Sequence, residues 1–177
     1  MAVTASFYFL DVRDVADAPV AYGTDDPVGD GLLAEPGRPD HWPRLDLTVD
    51  EGVPTDYLAN NLGVRLCSPR LRAILDQAAG PADELQWLDA RVIDEHGSRP
   101  YHVLHFPTVP DVLDRERTIW VDDELVVMPV IASGKVADHR IFTIPGGGGR
   151  IIVANDVRLA IRAARCTGIT FSRVAVT

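Results

Sequence analysis

The chain has 177 residues, 46% hydrophobic and 24% charged, with 26 acidic against 17 basic side chains and a formal net charge of −9. That length suits one domain with a core large enough to need no disulfide or metal staple. No run approaches the roughly 18 apolar residues of a membrane span, and a single lysine with dispersed arginines excludes a basic, aromatic-laced nucleic-acid stripe.

"ASFYFLDV" (5–12) is rich in aromatic and β-branched residues and predicts a strand. Both of its faces are apolar (Phe7 and Phe9; Tyr8, Leu10 and Val12), which predicts a central or covered position. No basic residue precedes this stretch and Asp11 interrupts it, so it does not read as a secretory signal. From Tyr22 to Trp42 periodicity disappears under three prolines and four glycines, predicting an irregular acidic arm at about 22–43. "RLDLTVD" (44–50) alternates as a strand does, and "PTDYLANN" (54–61) suggests one or two helical turns. "VRLC" (64–67) reads as a short strand. Ser68 then stands as an N-cap with Pro69 at the first helical position, and Leu71, Ile74, Leu75 and Ala78 come next at helical spacing until Gly80 and Pro81.

"ELQWLDARVID" (84–94) and "YHVLHF" (101–106) read as strands around an "EHGSRP" turn, and "TVPDVLDRER" (108–117) as a short helix with Asp111 four residues before Arg115. "TIWVD" and "ELVVMPV" form a strand pair around Asp122–Asp123, and "DHRIFTI" (138–144) is a further strand. "RIIVA" leads into a helix, "DVRLAIRAARC", capped by Asn155 or Asp156 and ended by Gly168. "ITFSRVAV" (169–176) closes the chain, with Ile169, Phe171 and Ala175 on one face and Val174 and Val176 on the other. Strand, capped helix, glycine and strand thus occur twice. The predicted fold is one α+β domain over residues 1–177, with a mixed or mainly antiparallel sheet, two or three short helices and two similar strand-helix-strand units.

Four consecutive glycines, Gly146 to Gly149, precede Arg150 and invite comparison with a phosphate cradle. A P-loop or dinucleotide loop requires a helix after its glycines, because helix N-terminal amides meet the phosphate. Here the segment after Arg150 is "IIVA", a strand, so the run reads as a hairpin connection. His102 and His105 are three apart on a strand and point to opposite faces, which disfavours a shared metal. The histidines, His41, His96 and His139 included, read as partly exposed or core-satisfied residues. Cys67 beside a helix N-terminus could be an activated thiolate, or simply a small core residue; Cys166 reads as core, and two such thiols suit a reduced, cytoplasmic setting. "DDE" (122–124) could hold a metal but is explained by a turn. Trp87 and Trp120 read as core, and Trp42 as a residue for an interface. No G-x-S-x-G elbow occurs. No cofactor or metal is expected.

Charge is unevenly placed. Residues 1–60 hold ten Asp and two Glu against Arg13, Arg38 and Arg44, whereas residues 61–177 hold fourteen charges of each sign. The whole net charge therefore lies in the first third, where it repels nucleic acid and anionic membrane and attracts basic partners. Aspartate as a plain turn former and solubiliser is the simpler reading of the same run.

The stretches "VRLCSPRLRAILDQAA", "YHVLHFPTVPDVLDRERT" and "RIFTIPGGGGRIIVANDVRLAIRAARCTGITFSRVAV" resemble, in order and spacing, a bacterial polymorphic-toxin immunity protein family, the eleventh in the numbered immunity-protein series. The resemblance covers residues 64–177. It implies a non-enzymatic cytoplasmic protein that binds and neutralises a cognate protein toxin. It offers no catalytic residue to carry over. Acidic complementarity to a basic, nuclease-like toxin then points to Asp25, Asp26, Asp30, Asp46, Asp50 and Glu51, with Trp42 as an apolar anchor. The alternative from another class is a small metal-dependent or His/Asp hydrolase using His102 or His105 with Asp111 or Asp114. A third reading is a ligand-free regulatory or oligomerisation module, a homo-oligomer.

Overall fold

The computed structural model describes residues 6–24, 36–121 and 124–177; Asp25, Asp26, Asp30 and the Asp122–Asp123 pair lie outside them. In chain order the elements are β1 (Phe7–Val12), β2 (Val20–Gly23), β3 (Leu45–Thr48), β4 (Tyr57–Asn60), β5 (Leu66–Cys67), α1 (Pro69–Ala78), β6 (Gln86–Asp94), β7 (Gly97–His105), β8 (Ile119–Val121), β9 (Leu125–Met128), β10 (Val130–Ile131), β11 (Ile141–Phe142), β12 (Ile151–Ala154), α2 (Asn155–Ala163) and β13 (Ile169–Val176). The fold is α+β, as expected, and mostly sheet.

Six strands close a small barrel in the order β2-β3-β6-β7-β5-β4. Period-2 alternation fills it: Leu45 and Leu47, Leu88, Ala90 and Val92, Tyr101 and Val103 point inward with Leu58 and Leu66. Their alternates point out. Cys67 and Leu104 leave the barrel and enter a second cluster with Leu71 and Leu75 of α1, Val157 and Ile161 of α2, and Leu10, Ile151 and Val153. Those last three belong to a five-stranded sheet, β10-β13-β1-β12-β11. Its far face carries Phe7, Phe9, Phe142, Ile152 and Val174 into a third cluster with Val112, Leu113 and Val136. Strand β1 is therefore covered on both faces, which is what its doubly apolar sequence predicts.

The repeated strand-helix-strand pattern has a topological counterpart. β5 and β6 both run antiparallel to β7, which lies between them, and β12 and β13 both run antiparallel to β1. Each unit is thus a parallel strand pair joined through a helix and split by an antiparallel strand. The two helices pack against each other between barrel and sheet.

Helix α1 starts as predicted. Ser68 Oγ accepts the Leu71 amide at 3.1 Å, and Pro69 opens the helix. Helix α2 does not: Ala154 is the cap, without side-chain help. Asn155 Oδ1 instead accepts from Arg158, and Asp156 is paired with Arg140 at 3.0 Å. The helix ends before Arg165, which takes the left-handed region (φ 54°), three residues short of Gly168.

Other expectations are corrected. Residues 54–61 hold no helix, and Tyr57–Asn60 form strand β4, because Leu58 fills the barrel while its neighbour Tyr57 packs outside it, a strand's two-faced pattern. Asn60 then closes the turn into β5 through the Val64 amide and carbonyl. Residues 108–117 form no helix. Pro107 and Pro110 lack donors, adjacent Val112 and Leu113 are both buried, and Leu113 bridges Ile131. The Asp111–Arg115 pair still forms, at 3.8 Å. The 95–100 turn contracts to Glu95–His96, and the 138–144 strand to Ile141–Phe142. There the buried Asp83 carboxylate collects the Gly80, Arg140 and Ile141 amides and bends the chain. Strand β2 claims the first residues of the irregular arm.

Candidate partner-binding surface

The acidic N-terminal third divides into structural and unengaged carboxylates. Asp11 pairs with Arg150, whose guanidinium lies over the Phe9 ring. Asp56 accepts from Ser68 Oγ at 2.7 Å and the Thr167 amide at 2.8 Å, tying the barrel to the α2–β13 link. Asp46 faces Arg91 across the parallel β3–β6 pair and accepts two of its guanidinium hydrogens, with Arg44 3.5 Å away. The Arg91 hydrogen bonds hold the Asp46 carboxyl below its ordinary value.

Asp14, Asp17, Asp40, Asp50 and Glu51 are exposed and make no ion pair with a described residue. Four of them fall on two neighbouring loops. The 13–19 loop and the 50–52 loop touch where Gly52 (φ 85°) lies against Pro19, a contact in which a Cβ would stand 3.3 Å from the proline. Asp14 and Asp17 were not singled out by sequence. Their signal was a turn-forming aspartate pair after β1, but nothing in linear order brings its loop against the one that carries Asp50 and Glu51. Trp42 is half-buried at the barrel end, where its indole N–H donates to the Asp89 carbonyl at 2.9 Å.

The histidine and aspartate candidates do not converge. His102 lies outside the barrel, edge-on to Trp87 and 3.2 Å from an Arg72 guanidinium nitrogen; burial first, then Arg72, lowers its basicity. His105 points the other way, is buried, and holds the Gly37 carbonyl at 2.6 Å, fastening the end of the arm. Asp111 is paired with Lys135, and Asp114 folds its own turn by accepting the Glu116 and Arg117 amides. Among the described residues no three His, Cys, Asp or Glu side chains gather as a metal set. Cys67 is fully buried, and burial drives its thiol far above the ordinary range despite the helix terminus beside it. A groove between α1 and α2 is lined by Ile74, Gln77, Ala78, Val157 and Ala160, with Asp156 its one carboxylate.

The glycine run is the hairpin connection between antiparallel β11 and β12. It is not a free loop. Gly146 sits so close to the next hairpin that a Cβ would lie 1.9 Å from the Glu124 carbonyl, and the Gly146 carbonyl accepts the Val126 amide at 3.0 Å. The Gly149 carbonyl accepts from Arg65, a buried guanidinium stacked 5.0 Å from the Phe106 ring centre. Three positive φ values in the run explain why glycine is required there.

Compared with known proteins, the model of the immunity protein family Imm11 matches residues 11–176. No curated protein matches the chain.

Proposed function

The chain belongs to the Imm11 immunity protein family, and from that premise we propose that it binds and neutralises a cognate toxin through its acidic N-terminal loops. Membership points to toxin neutralisation and to a generally non-enzymatic role. Asp14, Asp17, Asp50 and Glu51 stand on two touching loops and make no ion pair with a described residue. That grouping is the observation that carries the proposal. Asp25, Asp26 and Asp30 add three carboxylates from the arm, Asp46 contributes through its arginine-locked pair, and Trp42 supplies an apolar edge beside β3.

Such a face suits a basic toxin, a nuclease among the candidates, because complementary charge speeds encounter and repels wrong partners. The work is done by occupying the toxin's surface, which needs no cofactor. No described helix is long and apolar enough to cross a membrane, and the proposed site of action is the cytoplasm. Co-expression with the toxin encoded beside it tests this. Survival of the host and a co-purifying complex are expected; unchanged toxicity with no complex would sink the idea.

A further inference from the structure

The β8–β9 hairpin presents a surface that the acidic loops do not account for. Its residues alternate. Trp120 and Val126 turn inward, onto the cluster of Ile131, Phe142 and Ile144. Ile119, Val121, Leu125, Val127 and Met128 are exposed, by 51, 44, 52, 53 and 59%. These are five of the nine exposed large hydrophobic residues in the described chain, gathered on seven positions. A register shift between Ile119 and Trp120 leaves Val127 unpaired, so that consecutive Val127 and Met128 both reach solvent.

The platform is held in place. Val126 is tied to Gly146, and the Val130 amide just beyond β9 donates to Thr118 Oγ1 at 3.1 Å. Among the described residues the two strands pair with no other strand. A two-stranded sheet is marginal by itself and gains from further cover.

We propose that this apolar face docks against the same face of a second copy of the chain. Two observations select that occupant. The exposed side chains amount to roughly 500 Å², at the upper end of what a monomer leaves as one patch. Two such patches bury about 1,000 Å², the floor for a specific interface. Neither strand carries an ionisable side chain. Homodimer interfaces are the more apolar class. The turn that joins the two strands holds Asp122, Asp123 and Glu124, so added salt should favour the dimer by screening the like charges of the two copies. A twofold axis through the hairpin makes the contact self-complementary and closed. This assignment does not depend on the toxin reading.

The test is sedimentation equilibrium of the full chain, without toxin, from about 1 to 100 µM, against the 19.3 kDa monomer. Dimer is expected in the wild type. Leu125→Lys/Val127→Lys should weaken it at least about 100-fold, because two charges would be buried unpaired. Leu159→Lys, an equally exposed apolar residue on α2, should leave the dimer intact. Circular dichroism confirms that both variants fold, as expected for exposed positions. A wild type that stays monomeric across the range overturns the proposal, as does a double variant that stays dimeric. If the wild type is monomeric and the double variant loses toxin binding, the face belongs to the toxin instead. Failure of toxin binding alone would count against the acidic-loop reading and leave this one untouched.

Discussion

Replacing Gly168 by alanine tests the joint between barrel and sheet. Gly168 has φ 75°, and a Cβ there would stand 2.3 Å from Thr55 Oγ1 and 2.4 Å from the Tyr57 carbonyl. Neither neighbour is free to retreat. Thr55 Oγ1 donates to that same carbonyl, Tyr57 N–H donates to the Thr167 carbonyl at 3.2 Å, and the Gly168 carbonyl accepts the Arg13 amide at 2.9 Å. Left-handed backbone costs a residue with a Cβ about 1–2 kcal/mol, and the overlap adds about 1–3 kcal/mol as overpacking does. Gly63→Ala is the control, since Gly63 has φ 66° and open space around its absent side chain. It should show the backbone cost alone. Urea unfolding reads both losses, and in thermal unfolding, at roughly 2–4 °C per kcal/mol for a domain of this size, Gly168→Ala should lower Tm by about 4–20 °C. Equal losses for the two variants would refute the tight joint.

Ser68→Ala should cost about 1–2 kcal/mol in the same assay, since it removes the α1 cap and a hydrogen bond to Asp56, and Ser68→Thr should recover much of it. The Asp46 carboxyl is held below its ordinary value when folded, so its contribution is present above the unfolded value of 3.8 and is lost as pH falls through the folded one. Asp46→Asn should therefore narrow the stability difference between neutral and acid pH, by a small amount because the pair is exposed; an unchanged acid limb contradicts the assignment. Cys67 should resist a thiol reagent in the folded chain while half-buried Cys166 reacts, and labelling at equal rates, read by mass spectrometry, would show that the layer between barrel and helix opens readily.

Much of the fold was legible because local chemistry and tertiary need agreed. The doubly apolar "FYFLDV" became the central strand, and "SPRLRAIL" a helix whose cap and proline stand where their chemistry requires. The misreadings have one physical origin. In "PTDYLANN" and "TVPDVLDRER" the deciding fact is which layer each neighbouring side chain enters, and consecutive buried residues such as Val112 and Leu113 satisfy long-range contacts that spacing along the chain does not report. Closure of the barrel is of the same kind: β3 pairs in parallel with β6, 45 residues on. The acidic charge was legible as composition. Its sorting was not, because whether a carboxylate is neutralised depends on partners as distant as Arg91 for Asp46 and Arg150 for Asp11.

The most direct test of the account measures association with the toxin encoded beside the chain. Asp14, Asp17, Asp50 and Glu51 are reversed together to lysine, and rates are followed by stopped flow across a range of salt. The account predicts an association rate at least about tenfold slower than wild type at low salt, with its salt dependence flattened. A rate and a salt slope indistinguishable from wild type would contradict it.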